Sequence, residues 1–197
     1  MIVTRIEEGE KNRKKIYIDG EYAFFLYPKE LRQYPIEVDE ELSEELYEEI
    51  RQKVVLIRAK RKMLALLSKK DYTCEEIARK LRQGYYSEDI IEEAISYGVC
   101  MHYLDDERYA REYINWKKES KSLRWISQEL SRKGIAKSIY EPILDLEEDD
   151  EEILRELICR YMRKQPGENF PKRQKTYRHF LQKGYSSSLI REILSQL

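Results

Sequence analysis

The chain has 197 residues, and the side chains able to carry catalysis are few and scattered. It has two histidines, His102 and His179, far apart in the sequence, so acid–base or metal chemistry at imidazole has few candidates. Cys74, Cys100 and Cys159 are odd in number and widely spaced. They suggest neither a Cys-x-x-Cys metal pair nor a disulfide framework, and they read as small core residues. The seven glycines never cluster, which removes a phosphate-cradling P-loop and a Gly-x-Gly-x-x-Gly turn. A catalytic carboxylate pair needs convergent geometry, and none can be picked out from 38 acidic residues. The chain therefore reads as a non-enzymatic protein with no catalytic residue, cofactor or metal.

Chemistry of recognition has more to work with. The run Tyr103-Leu104-Asp105-Asp106-Glu107-Arg108-Tyr109-Ala110-Arg111 is an emphatic helix start. Asp105 is placed as N-cap, Asp106 and Glu107 sit at the positive end of the helix dipole, and Leu104 is spaced to staple onto Tyr109. Arg108 is within reach of a neighbouring acid. One reading of this run is capping alone; the other is a contact surface made of Asp105, Asp106, Glu107, Arg108 and Tyr109.

The balanced total, 37 bases against 38 acids, hides strong blocks of charge. Residues 36–50 hold eight acids and no base, whereas 51–85 hold eleven bases and three acids. The alternation recurs in 145–156, with eight acids and one base, and in 157–191, with nine bases and one acid. Such blocks form either solvated faces laced with i, i+4 pairs or basic surfaces that follow a phosphate backbone, with tyrosines for base stacking. Lys60, Arg61, Arg79, Arg82, Arg124, Arg132 and Lys133 are the candidate contacts. The acidic blocks favour docking onto a protein, or onto one already coating nucleic acid, over tight unaided DNA binding. Trp116 and Trp125 read as core or inter-helix anchors, His102 as a loop residue and His179 as a helix-face residue.

Helices must position most of these residues. Ahead of them, Ile2 to Ile6, Lys15 to Ile18 and Glu21 to Tyr27 are β-prone runs, and Asp19-Gly20 between the last two signals a hairpin. A small antiparallel sheet ending at Pro28 is expected, packed on a helix of the remainder. From residue 38 onward the pattern is helical, and a helix over about 41–69 should tie the sheet to the first helical unit.

Lys80 to Tyr85, Leu130 to Ile135 and Phe180 to Tyr185 then repeat one theme, with Gly84, Gly134 and Gly184 spaced 50 residues apart. Each is followed by apolar pairs at i, i+1, i+4, i+5, the face of one helix. Three triplets result: helices over 54–69, 75–83 and 88–97; over 105–119, 122–133 and 136–146; and over 149–164, 172–183 and 187–196. Thr73 to Glu76 is a capping box, while Ser87, Ser122 and Ser186 or Ser187 are spaced to cap the helices after them. Gly134 and Gly184 fall at left-handed reversals. In the first triplet glycine comes one residue early, which puts Tyr85 there. Pro142 falls inside a short helix, and Pro166-Gly167 and Pro171 mark a loop.

The expected fold is mainly α: three tandem three-helix repeats (51–98, 99–146 and 147–197) in an elongated, curved body, preceded by a β-hairpin segment (1–50). No apolar run approaches the roughly 20 residues of a membrane span, and the first residues lack a signal peptide's pattern, so a soluble, cytoplasmic monomer is expected.

The middle repeat resembles the RecX family of recombinase regulators. That family's Leu-Asp-Asp-Glu-Arg-aromatic-Ala run is matched by Leu104 to Ala110, and its Arg-x-Ile-x-x-Glu-Leu-x-x-Lys-Gly-Ile run by Arg124 to Ile135. Tyr17 to Tyr22 is similar to the hairpin of the longer members. The sequence departs from the pattern in Tyr103, where a Gly-Tyr or Gly-Leu lead-in is usual, and in Ser120 or Ser122, where glycine is common. The resemblance implies a modulator that lodges on the RecA filament on single-stranded DNA and mainly inhibits its ATPase, strand exchange and DNA-damage (SOS) signalling in homologous recombination and repair. The competing expectations are a helix-turn-helix type module binding DNA directly and a passive helical scaffold.

Overall fold

The structure, a computed structural model, describes residues 1–146, 150–165 and 169–197. Asp19 and Gly20 take φ of 49° and 89°, the two left-handed positions of a type I′ turn. Around them β2 (Arg13–Ile18) and β3 (Glu21–Leu26) pair antiparallel, and β1 (Val3–Gly9) adds to the other side of β2. Alternation turns Ile16 and its partner Phe24 to one face, where both are buried, and turns Arg13 and Lys15 to the other. Lys15 pairs with Phe25, which is also buried because cations and rings roof it.

Arg58 is the principal roof. Its guanidinium lies 3.9 Å from the Phe25 ring centre and donates to the Phe25 carbonyl and to Glu30 Oε2, both at 2.6 Å. Glu30 belongs to α1 (Pro28–Gln33), where it also accepts from the Tyr27 amide, so one arginine joins sheet, α1 and the next long helix. That helix comprises α2 (Glu44–Ile50), π-helical turns over Arg51–Leu56, and α3 (Ile57–Leu67). Residues four apart along it (Tyr47, Arg51, Val55, Ala59, Met63 and Leu67) form one row, which would drift by about 40° per step round a regular α-helix. The wider π turns offset part of that drift and keep the row on the core side.

The first triplet is α3, α4 (Cys74–Arg82) and α5 (Glu88–Cys100); the second is α6 (Asp106–Lys117), α7 (Leu123–Arg132) and α8 (Lys137–Leu144). The third is α9 (Asp150–Arg163), α10 (Asn169–Gln182) and α11 (Ser187–Gln196). All three middle helices end in the same Schellman turn. The amides of Tyr86, Ile135 and Tyr185 reach back to the carbonyls of Leu81, Leu130 and Phe180, at 3.4, 3.1 and 3.3 Å. The amides of Tyr85, Gly134 and Gly184 bond the carbonyls three residues earlier, at 3.0, 2.9 and 3.1 Å. Tyr85, Gly134 and Gly184 carry the left-handed φ (65°, 84° and 93°), and each reversal buries its pair Leu81–Tyr86, Leu130–Ile135 or Phe180–Tyr185. The first two left-handed residues are thus 49 apart and the last two 50, so Gly84 in the spaced glycine pattern stands one residue before its own pivot.

Two compact units emerge, Met1–Asp105 and Asp106–Leu197. In the first, one continuous core runs from Val3 to Leu104, so the sheet segment and the first triplet share an interior. In the second, Ala110, Ile114, Ile126, Leu130, Ile135, Tyr140 and Ile143 form one cluster, and α9, α10 and α11 enclose another around Phe180. The Ser122 amide donates to the Lys183 carbonyl at 3.3 Å, tying the second triplet to the third.

Several expectations need correction. Leu104 is buried in the first unit's core, bonded through its amide to the Gly98 carbonyl, rather than serving as a staple for α6. Ser87 occupies the N-cap of α5 without a capping bond; its hydroxyl serves Asp89 instead. Pro171 lies in the first turn of α10, where a missing N–H costs little, rather than in a loop. Pro166-Gly167 and the predicted helix start at 149 lie outside the described residues. Trp116 is 69% exposed and Cys100 is exposed, so neither is a core residue; Cys74 and Cys159 are half-buried, and Cys74 packs against the first unit's core. Thr73 with Glu76, Ser122 and Ser186 make the expected caps.

Gly184 carries two constraints. Besides its φ of 93°, a Cβ there would stand 2.6 Å from Trp125 Cβ and 2.7 Å from Ser122 Oγ. Gly184→Ala is expected to lower stability by about 2–3 kcal/mol, measured by urea denaturation of the whole chain.

Candidate partner-binding surfaces

Tyr109, just after the acidic run, meets the end of α7 in the second triplet. Asp106 and Glu107 occupy the first turn of α6, directly after Asp105, and Arg108 is exposed on the same helix. Glu107 accepts from Arg111 one turn on, at 2.6 Å. Tyr109 stacks on Tyr113 with centroids 6.1 Å apart and an interplanar angle of 13°, and Tyr113 meets Trp116 edge-on at 6.1 Å. Positions 109, 113 and 116 share a helix face, so the three rings form a ladder. Lys133 extends from the end of α7 over Tyr109 and Tyr113, at 5.2 and 5.6 Å. Burial, and then the Glu129 carboxylate, raise the Tyr113 phenol above its ordinary pKa. Arg132 forks onto Glu129 at 3.1 and 2.8 Å. Lys117 lies 3.3 Å from the Trp116 ring centre.

Arg124 lies at the opposite end of α7. It lines a shallow depression with Trp125, Gln128, Leu181, Gly184 and Tyr185, and carries no ion pair among the described residues. Trp125 is half-buried there beneath the Lys121 ammonium, as an anchor between triplets. Nearby, the His179 ring stacks on Tyr161 with centroids 4.2 Å apart and meets the Phe180 edge at 5.0 Å. Burial lowers the His179 pKa, and Lys183 and Lys121 lower it further.

The remaining basic candidates belong to the first unit. Lys60 sits 4.4 Å from the Tyr97 ring centre. Arg82 is committed to Glu88, at 2.7 and 2.8 Å, with Glu75 at 3.8 Å. Arg61 and Arg79 are exposed and, among the described residues, unpaired. Arg51, which the sequence did not single out, holds Asp89 at 2.8 Å and also Glu93. A second set not foreseen, Arg13, Lys15 and Lys62, gathers near Tyr85 and Tyr86. The strand alternation that puts Arg13 and Lys15 on one face was the only available hint. Among the described residues no cluster of His, Cys, Asp and Glu is fit to hold a metal ion, and no helix is long and apolar enough to cross a membrane.

Comparison with known proteins agrees with this arrangement. The family models described as RecX first, second and third three-helix domains match residues 59–97, 105–141 and 147–194 in turn. The chain belongs to the RecX family. Among its relatives, the regulatory protein RecX of Caldanaerobacter subterraneus subsp. tengcongensis is 34% identical over 163 residues, covering 80% of this chain and 83% of that protein. The regulatory protein RecX of Clostridium beijerinckii is 25% identical over 202 residues, 99% of this chain and 95% of the other. A crystal structure of regulatory protein RecX superposes with a TM-score of 0.63 at 27% identity, covering 98% of each chain. The crystal structure of RecX from Lactobacillus salivarius gives 0.59 at 28% identity, over 72% of this chain and 96% of the other. The RecX three-helix domains coincide with the triplets defined by the Schellman turns.

Two measurements test these surfaces. Trp116→Ala should change stability by less than about 0.5 kcal/mol, and Trp125→Ala should cost about 2 kcal/mol, both by urea denaturation. Because the folded state depresses the His179 pKa, the unfolded chain binds more protons as pH falls below about 6.5, so acid favours unfolding at this site. The fall in melting temperature between pH 7.5 and 5.5 should therefore be smaller in His179→Phe than in the wild type.

Proposed function

We propose that this chain is a RecX-type regulator that binds the RecA recombinase filament on single-stranded DNA and lowers its ATPase, strand-exchange and damage-signalling activities. It acts by gripping rather than by catalysis, as a cytoplasmic monomer. The observation that carries the reading is the succession of three RecX three-helix domains along the chain. The surfaces support it physically. The Tyr109–Tyr113–Trp116 ladder, edged by Lys133 and ending in an indole left 69% exposed, has the composition of a protein-binding hot spot. The guanidinium groups of Arg61, Arg79 and Arg124, unpaired among the described residues, suit acidic protein faces or phosphates, whereas Arg82 and Arg132 already hold carboxylates.

The test is RecA ATPase on single-stranded DNA with increasing amounts of this protein. The rate should fall with dose, and an unchanged rate at several-fold excess over filament would sink the proposal. Arg79→Glu should raise the dose needed for half-inhibition by about tenfold without shifting the melting temperature. Trp116→Ala should weaken inhibition in the same assay. Tight binding to naked duplex DNA with no effect on RecA would favour the helix-turn-helix alternative.

A further inference from the structure

We propose that a belt of cations and tyrosines running from the β1–β2 turn to the start of α4 is a track for single-stranded nucleic acid. Phosphates would lie on Lys11, Arg13, Lys15, Lys62, Lys80 and Lys70, and bases on Tyr85 and Tyr72. This deepens the single-stranded DNA part of the proposed function, but its test requires no RecA.

The belt is continuous within the first unit. The Lys15 ammonium lies 4.5 Å from the centre of the Tyr85 ring, and the Arg13 guanidinium is at 5.8 Å from the same ring. Arg13 Nη1 donates to the Gly84 carbonyl at 3.4 Å. Beyond it Lys62 donates to the Lys80 carbonyl at 2.9 Å. The Lys80 ammonium is 5.2 Å from the Tyr72 ring centre, and Lys70 covers that ring at 4.5 Å. Cations thus alternate with rings drawn from the hairpin, α3, α4 and the turns flanking α4.

Among the described residues none of the six cations makes an ion pair with a carboxylate, although Lys14 next to them pairs with Glu8 and Lys53 with Glu49. Burial lowers the Lys62 pKa, and the positive charges of Arg13, Lys11 and Lys80 lower it further, which reports how closely these cations crowd. Gathering like charges opposes folding, and a bound polyanion offsets that repulsion.

The second observation is the residue at the pivot. The equivalent left-handed positions of the other two triplets are Gly134 and Gly184, whereas the first triplet holds Tyr85, a residue 42% exposed, at φ 65°. Glycine is available one residue earlier and is not used there. A bulky residue held in this strained region, fixed by the Tyr22 hydroxyl donating to its carbonyl at 2.6 Å, projects a ring among cations. Tyr85 is the exposed ring of the belt and Tyr72 a half-buried one; rings interleaved with cations hold single strands without sequence preference, because every base has a face to stack. Lys15 rests where a base would lie, and its flexible stem lets the ammonium swing to the adjoining phosphate.

The experiment is fluorescence anisotropy of a labelled oligo-dT with the full chain, without RecA, over a range of salt. The wild type should bind at low salt. Lys11→Glu with Lys15→Glu should weaken binding at least about tenfold and reduce the slope of log K against log salt by about 1.4, the share of two phosphates on a single strand. Tyr85→Gly relieves the left-handed strain and should melt no earlier than the wild type, yet bind about tenfold more weakly, while Tyr85→Phe retains binding. Lys53→Glu, away from the belt, should be neutral. The proposal is overturned by an oligonucleotide that fails to bind at low salt, or by belt variants that bind like the wild type. It is equally overturned if those variants lose RecA binding in the absence of DNA but keep the oligonucleotide, since the belt would then serve an acidic protein surface. A protein that inhibits RecA but fails here loses only the belt; one that binds oligo-dT through the belt but leaves RecA untouched loses only the regulator.

Discussion

Each triplet of helices depends on one left-handed residue. A middle helix of nine to fourteen residues is too short to persist alone, and its final carbonyls need donors. The Schellman turn supplies those donors, buries an apolar pair, and points the third helix back toward the first. Everything that packs around Leu81, Leu130 or Phe180 follows from this reversal. A helix that ran on past it would carry Ile90, Tyr140 or Ile190 away from the core that each of them fills. The surfaces of interest hang on the same turns. Lys133 immediately precedes the second pivot, Gly184 forms the seam with Trp125, and Tyr85 is itself the first pivot.

Three-helix units of this size enclose little apolar volume, and the two compact units solve that shortage differently. In the first, a three-stranded sheet contributes Val3, Ile16, Phe24 and Leu26 to an interior shared with α3, α4 and α5. Arg58 makes this possible by satisfying Glu30 and a strand carbonyl while its guanidinium lies over Phe25. In the second, two clusters of modest size meet at Ser122, Trp125 and Gly184, where only glycine leaves room for the approach. Polar atoms thus carry much of the burden of joining elements, which suits a chain in which 38% of residues are charged.

Local chemistry made most of the fold legible. Asp19-Gly20 declares a hairpin because few residue pairs accept two positive φ values in succession, and Thr73 with Glu76 declares a helix start because two amides are satisfied at once. The shifted glycine of the first triplet identified Tyr85 as the left-handed residue for the same local reason. Tertiary choices were harder to read. Trp116 and Trp125 are the same residue type on neighbouring helices, and only the packing of the third triplet decides that one is covered and the other left out. Leu104 was equally suited to a staple or to a core, and the cavity beside Gly98 and Met63 took it. The candidate surfaces were half legible. Tyr109 and Lys133 lie 24 positions apart and meet through α6 and α7, whereas the meeting of Lys15 with Tyr85 depends on where the sheet settles on the first triplet.

The π-helical turns between α2 and α3 have a separate consequence for how this segment tolerates change. Because they absorb a surplus in the winding, they set the angular phase between the acidic helix upstream and the core-lining helix downstream. Gln52 and Lys53 face solvent, where they hold only the surface carboxylates of Glu93 and Glu49, so their identities matter little to the core. Their number does matter, since loss of one would return the segment to regular winding and swing Ile50 and Tyr47 about 100° away from the interior they now seal. Among related chains this stretch should therefore be permissive in composition and rigid in length.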